Sequence, residues 1–245
     1  MKPVVALLAV AVLAAGQPAA AQPSAAQPSA ARSARAGNPA EIRSALAFYG
    51  TCIVKREAEI ARKQVLSGEF LDPRSAEGKR LVQKECLSDR VTEARFNDAS
   101  LKGAMADALV SRELGRLTAT SFDGVPALTY AQPWPVRLTD RNGSDLPPER
   151  IAAQQRKYDE KLGEVARAKM AECVTRTAGA QVRAMLATPA ASAAELAALQ
   201  AVAPSLSGCL PAGQTIGFDR MTLRGALAVA YYRLASAAQP TGAAQ

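Results

Sequence analysis

Cys52, Cys86, Cys173 and Cys209 are the four cysteines of a chain that contains no histidine. Cys52 and Cys86 are 34 positions apart (86 − 52), and Cys173 and Cys209 are 36 apart (209 − 173). Neither spacing is the Cys-x-x-Cys of a redox or zinc site, and no imidazole is available to complete one, so no metal site and no cofactor are expected. The missing histidine also removes Ser-His-Asp and Cys-His machinery. No Gly-x-Ser-x-Gly, Ser-x-x-Lys, Walker loop or dinucleotide fingerprint replaces it, and no catalytic residue is assigned. Carboxylate chemistry needs none of these groups. Glu57, Glu59, Asp98 and Asp107 are therefore the acids on which a histidine-free envelope hydrolase would have to rest.

Two basic residues share a context. Lys102 sits in Ser-Leu-Lys-Gly-Ala and Arg224 in Thr-Leu-Arg-Gly-Ala, each near the start of an apolar-periodic segment. Exposed amides at a helix start already favour anions, so the two are candidate anion-binding residues. The plainer alternative is that each fixes its own unit by pairing with a nearby carboxylate or carbonyl.

That shared context belongs to a longer correspondence. Phe96, Ser100, Leu101, Lys102, Gly103 and Ala104 match Phe218, Thr222, Leu223, Arg224, Gly225 and Ala226 at an offset of 122 (218 − 96). The cysteines match at 121 (173 − 52) and 123 (209 − 86). The expected fold is all-α, with two tandem copies of a disulfide-stapled three-helix unit spanning 41–118 and 149–236. Asp98 and Asp107 align with Arg220 and Val229, which favours solvated faces or caps over a duplicated acid site.

In each copy a first helix carries a cysteine. Leu46, Tyr49, Ile53 and Ile60 mark its apolar face in one copy, and Ile151, Tyr158, Leu162 and Val165 lead to Cys173 in the other. A shorter helix follows, over 75–87 in the first copy. In the second it starts at Ser192, with Ser-x-x-Glu to Glu195 as a capping box, and ends near Ala203 before Pro204. Extended segments over 90–96 and 212–218 precede the third helix. Its N-caps are expected at Ser100 and Thr222. Gly103 and Gly225 in its first turn point to a close approach by another backbone.

Residues 1–21 read as a secretory signal, with Lys2, an apolar run from Pro3 to Gly16 and a small-residue end at Ala19 to Ala21. Gln22 follows where a lipid anchor would need cysteine, and no later segment is long enough to span a membrane. Residues 22–40 are a Pro/Ala/Ser spacer and 237–245 a disordered tail. A periplasmic or secreted chain keeps its cysteines oxidised, and four cysteines allow three pairings. Equivalence of the copies selects Cys52 with Cys86 and Cys173 with Cys209.

The connecting loop over 119–148 differs in kind. It holds Trp134 between Pro133 and Pro135, with Tyr130 nearby and an Asn142-Gly143 turn signal beyond. Trp134 and Tyr130 could contact a partner or ligand. The competing and preferred reading folds Trp134 back as a lid over the seam between units. The net charge of +8 raises anionic envelope polymers as a partner, but the basic and acidic residues alternate along the helices rather than forming a stripe. Nucleic acid is not expected, because no aromatics interleave with the basic residues. The expected function is non-catalytic: binding of an envelope partner or ligand through the loop or the seam, with Trp134, Tyr130, Lys102 and Arg224 as contacts.

Overall fold

The computed structural model describes residues 38–87, 97–210 and 216–239. The proposed signal, most of the spacer, the extended segment over 90–96 and the tail beyond Gln239 lie outside them. Of the segment over 212–218, only 216–218 are described, and they have no regular structure. Among the described residues the chain is all-helical, with eight α-helices and no strand. No helix there is long and apolar enough to cross a membrane.

Helix α1 (Pro39–Arg56) starts on the Asn38 side chain, which accepts from the Ala40 N–H, and on a proline at its first position, where no amide hydrogen is needed. The chain breaks at Glu57 (φ −131°, ψ 43°) and resumes as α2 (Ala58–Leu66). After α5 (Pro148–Thr177) it breaks in the same way at Ala178 (φ −131°, ψ 41°), and α6 (Gly179–Leu186) follows. Where three helices were expected on each side of the 119–148 loop, the described residues form four. Neither break residue is proline or glycine; the turn lets α2 and α6 fold across the next long helix, a tertiary effect without a local signal.

Helix α3 (Ala76–Leu81) is capped by Ser75 and ends before a separate 3-10 turn, Lys84–Cys86, so the expected helix over 75–87 is two pieces. Helix α7 (Ala193–Gly208) starts at Ser192 as expected, but only half of the capping box forms. The Glu195 carboxylate accepts from the Ala191 N–H instead. Helix α7 also runs through Pro204, against the expected stop near Ala203. Gln200 and Pro204 both lie on its exposed face, so the carbonyl stripped of its partner stays within reach of water.

Helices α4 (Asp98–Glu113) and α8 (Arg220–Ala237) are capped three residues before the expected positions. Asn97 and Asp219 accept from the N–H groups of Ser100 and Thr222, and Thr222 donates back to Asp219. Ser100 and Thr222 are the capped residues, not the caps.

The two bridges join Cys52 to Cys86 and Cys173 to Cys209, with Cα atoms 5.6 and 5.7 Å apart. Each ties a long helix to the segment ahead of the next. Helices α1 and α2 pack on α4, α5 and α6 pack on α8, and α4 lies against α8. Ile53, Met105, Leu109, Val174, Leu227 and Tyr231 belong to one continuous buried cluster running through all of them.

Glycine sets the depth of the α4 to α8 contact. A Cβ on Gly103 would come within 2.7 Å of the Gly225 Cα, and one on Gly225 within 3.1 Å of the Gly103 Cα. Gly103→Ala is expected to destabilise the fold by about 1–3 kcal/mol despite alanine's better helix propensity, because backbone must move. Gly225→Ala should stay within about 1 kcal/mol of wild type, since the propensity gain offsets its milder contact. Urea unfolding measures both; equal stability of the two variants would contradict this packing.

Candidate functional site

Beside the glycine contact, residues 97–102 at the start of α4 and residues 221–233 of α8 bound a space that is closed by α5, by residues 68–71 after α2 and by the loop after α4. A cavity of about 120 Å³ remains there. Leu71, Leu128, Val165, Ala226 and Val229 form apolar wall, while Lys102, Tyr130 and Arg233 add polar groups.

Lys102 is half-buried, and its Nζ donates to the Glu69 carbonyl at 2.7 Å. Burial and then the Arg233 charge push its pKa down to about 8, against the opposing pull of Glu69 and Glu164. Arg233 is 6% exposed. Its Nη2 donates to the Thr129 carbonyl at 2.9 Å, and its guanidinium lies 5.7 Å from the centre of the Tyr130 ring. No carboxylate of a described residue pairs with either cation.

The loop wall hangs on one acid of α5. Glu172 accepts from the Tyr130 hydroxyl at 2.6 Å, the Leu128 N–H at 3.1 Å and the Arg176 guanidinium at 2.8 Å. Arg176 also donates to the carbonyls of Phe122, Val125 and Pro126. Burial alone would raise the Glu172 pKa, but the bonds from Tyr130, Leu128 and Arg176 outweigh it and hold the carboxyl below its usual range. Burial, then the Glu172 bond, raises the Tyr130 pKa. Tyr130 is a neutral donor.

Asp98 and Glu164 meet at the cavity across Lys161, whose Nζ lies 3.1 Å from Asp98 Oδ2 and 3.0 Å from Glu164 Oε1. Burial, with Asp98 and Glu160, raises the Glu164 pKa against the Lys161 contact. Glu57, Glu59 and Asp107 are elsewhere, engaged by Arg80, Arg62 and Arg224.

Of the four candidate contacts read from the sequence, Lys102 and Tyr130 line this cavity, while Arg224 and Trp134 do not. Arg224 is buried under α7, where it donates to both Asp107 oxygens, the Thr188 carbonyl and Glu195. That is the structural pairing weighed against an anion site. Trp134 is 84% exposed beside a buried Pro133, so it is no lid. Phe122, Leu128 and Tyr130 cover the seam, with Phe122 edge-on to Tyr231 at 6.0 Å. The Asn142-Gly143 turn forms as read: Gly143 has φ +84°, and Asp140 accepts from the N–H groups of Asn142 and Ser144. Arg137, Arg141, Arg150 and Lys157 line an open groove beside it.

No family model, curated protein or solved structure matches the chain.

Arg233 and Glu172 were not singled out by sequence. Arg233 had one signal: it lies three residues after Ala230 and seven after Ala226, a cation on the edge of an apolar stripe. Glu172 had only its i, i+4 spacing to Arg176, because its other partners, Leu128 and Tyr130, lie more than forty residues away along the chain.

Glu172→Gln is expected to cost on the order of 2–3 kcal/mol at pH 7, where charge-assisted bonds are lost. Because folding lowers this carboxyl's pKa from 4.5, its contribution is complete above that pH and fades as pH falls through the folded value. Urea unfolding at pH 7 and pH 3 should show the wild-type advantage shrinking in acid; a constant difference would remove Glu172 as an ionised anchor.

Proposed function

We propose that the chain is an exported, non-catalytic binding protein whose ligand site is the seam cavity. The observation that carries this reading is the cavity itself, an apolar pocket in which Lys102 and Arg233 have no ion pair among the described residues and stand beside the Tyr130 ring. Pairing of all four cysteines supports an oxidising compartment, periplasmic or extracellular.

The same reading takes the fold as two copies of one unit, each now four helices long. Supporting it are the matching breaks at Glu57 and Ala178, the matching caps at Asn97 and Asp219, and the two intra-copy bridges. Equivalent residues of two-fold copies touch each other at the axis, and Gly103 touches Gly225. On this view the ligand lies beside a pseudo-two-fold axis, in a site that the differing residues of the two copies make asymmetric.

A carboxylate-dependent hydrolase is the second reading, favoured by the convergence of Asp98 and Glu164. Against it, Lys161 contacts both oxygens of Glu164 and leaves that carboxylate no free atom. Turnover of p-nitrophenyl esters or glycosides, lost in Glu164→Gln, would establish it.

The binding reading is tested with C6 to C10 alcohols and carboxylates by saturation-transfer NMR. A cavity of this volume encloses roughly six heavy atoms, and the rest of a longer probe lies in its open mouth. At least one probe should bind with a Kd of about 1 mM or better, and Ala168→Phe, which fills the cavity from α5, should abolish the signal. Absence of binding to wild type, or undiminished binding to the variant, would sink this assignment.

A further inference from the structure

We propose that the seam cavity takes an amphiphilic monocarboxylate, its head group held between Lys102 of α4 and Arg233 of α8 and its tail against Leu71, Leu128, Val165 and Val229. The inference rests on the binding reading above and names the class of ligand.

Charge placement is the reason. Burying a cation without a counter-ion is costly, and Lys102 and Arg233 also repel each other. Among the described residues both keep unused donors: Arg233 bonds there through Nη2 alone, and Lys102 Nζ makes one bond. The cavity's other charges do not neutralise them. Asp98 and Glu164 are occupied by Lys161, Glu69 is exposed, and Arg167 adds a further cation with no ion pair among the described residues. Counting Lys161, four cations oppose three carboxylates, a net of +1. One negative charge balances that, two would over-neutralise it, and an amine would be repelled. The apolar wall excludes a wholly polar anion, whose hydration would be lost without replacement. A guanidinium fork beside a point-like ammonium fits the two oxygens of a carboxylate.

The Lys102 pKa gives a readout that simple apolar filling would not move. An anion bound beside it raises that value from about 8, so binding above pH 8 takes up protons. Affinity for the anion therefore falls as pH rises through the free-state value; the charged groups that face Lys102 are Arg233, Glu69 and Glu164, with Asp98 and Tyr130 also in the cavity wall.

Octanoate, octanol and octylamine are titrated calorimetrically into the whole protein at pH 7 and pH 9.5, in two buffers of different ionisation enthalpy. Octanoate should bind at least about 10-fold tighter than octanol at pH 7, weaken at pH 9.5 and show proton uptake there, while octylamine does not bind. Lys102→Met should weaken octanoate by about 10-fold and leave octanol unchanged. Arg233→Lys keeps the charge and loses the fork, so a smaller octanoate loss in that variant checks geometry without emptying the site. Octanol matching or exceeding octanoate, or Lys102→Met binding octanoate like wild type, overturns the monocarboxylate proposal and leaves the cavity as a neutral site. Failure of octanoate and octanol alike overturns both this proposal and the binding reading.

Discussion

Everything else in the fold is arranged around the approach of two helix backbones at Gly103 and Gly225. With no Cβ between them, α4 and α8 come close enough for one core to run through both halves. The cavity lies beside that contact, with Gly225 in its wall, and its two cations come from the two helices that make it. A larger residue at the crossing would separate the helices along their whole length, altering the core and the cavity together.

The polar groups of the seam divide into two kinds. Arg224, Asp107 and Glu195 form a compact buried set in which charges and carbonyls satisfy each other, so it fixes α7 and α8 against α4 and offers nothing outward. Lys102 and Arg233 instead lean on backbone carbonyls and an aromatic face. Sequence makes Lys102 and Arg224 look alike, since they occupy the same place in the repeated pattern. Their surroundings separate them: one meets a loop and a cavity, the other the long capped helix α7.

Much of this was legible before any coordinates. The cysteine spacing led to the two pairings, and the misplaced-looking glycines to a backbone contact, because covalent and steric constraints leave traces at fixed positions. The helix breaks at Glu57 and Ala178 left none, being imposed by what α2 and α6 pack against. Caps were read three residues late because Ser100 and Thr222 have the right side chains, yet Asn97 and Asp219 also do and stand where the chain turns. Half of the site residues read from sequence proved to line the cavity. Arg233 is hidden among apolar neighbours, and the prolines that flank Trp134 hold it out in solvent, 84% exposed, rather than over the seam.

Both sulfur links close within their own half, one before the long loop and one after it. A single cut in the peptide chain anywhere from Ala119 to Pro147 would therefore leave two internally stapled fragments with no bond between them. Their cohesion would depend on non-covalent contacts alone, among them the glycine crossing, the shared core and the pairs Arg224 with Asp107 and Lys161 with Asp98. Under denaturing but non-reducing conditions such a nicked molecule separates into two pieces, whereas in native buffer it stays whole for as long as those contacts hold.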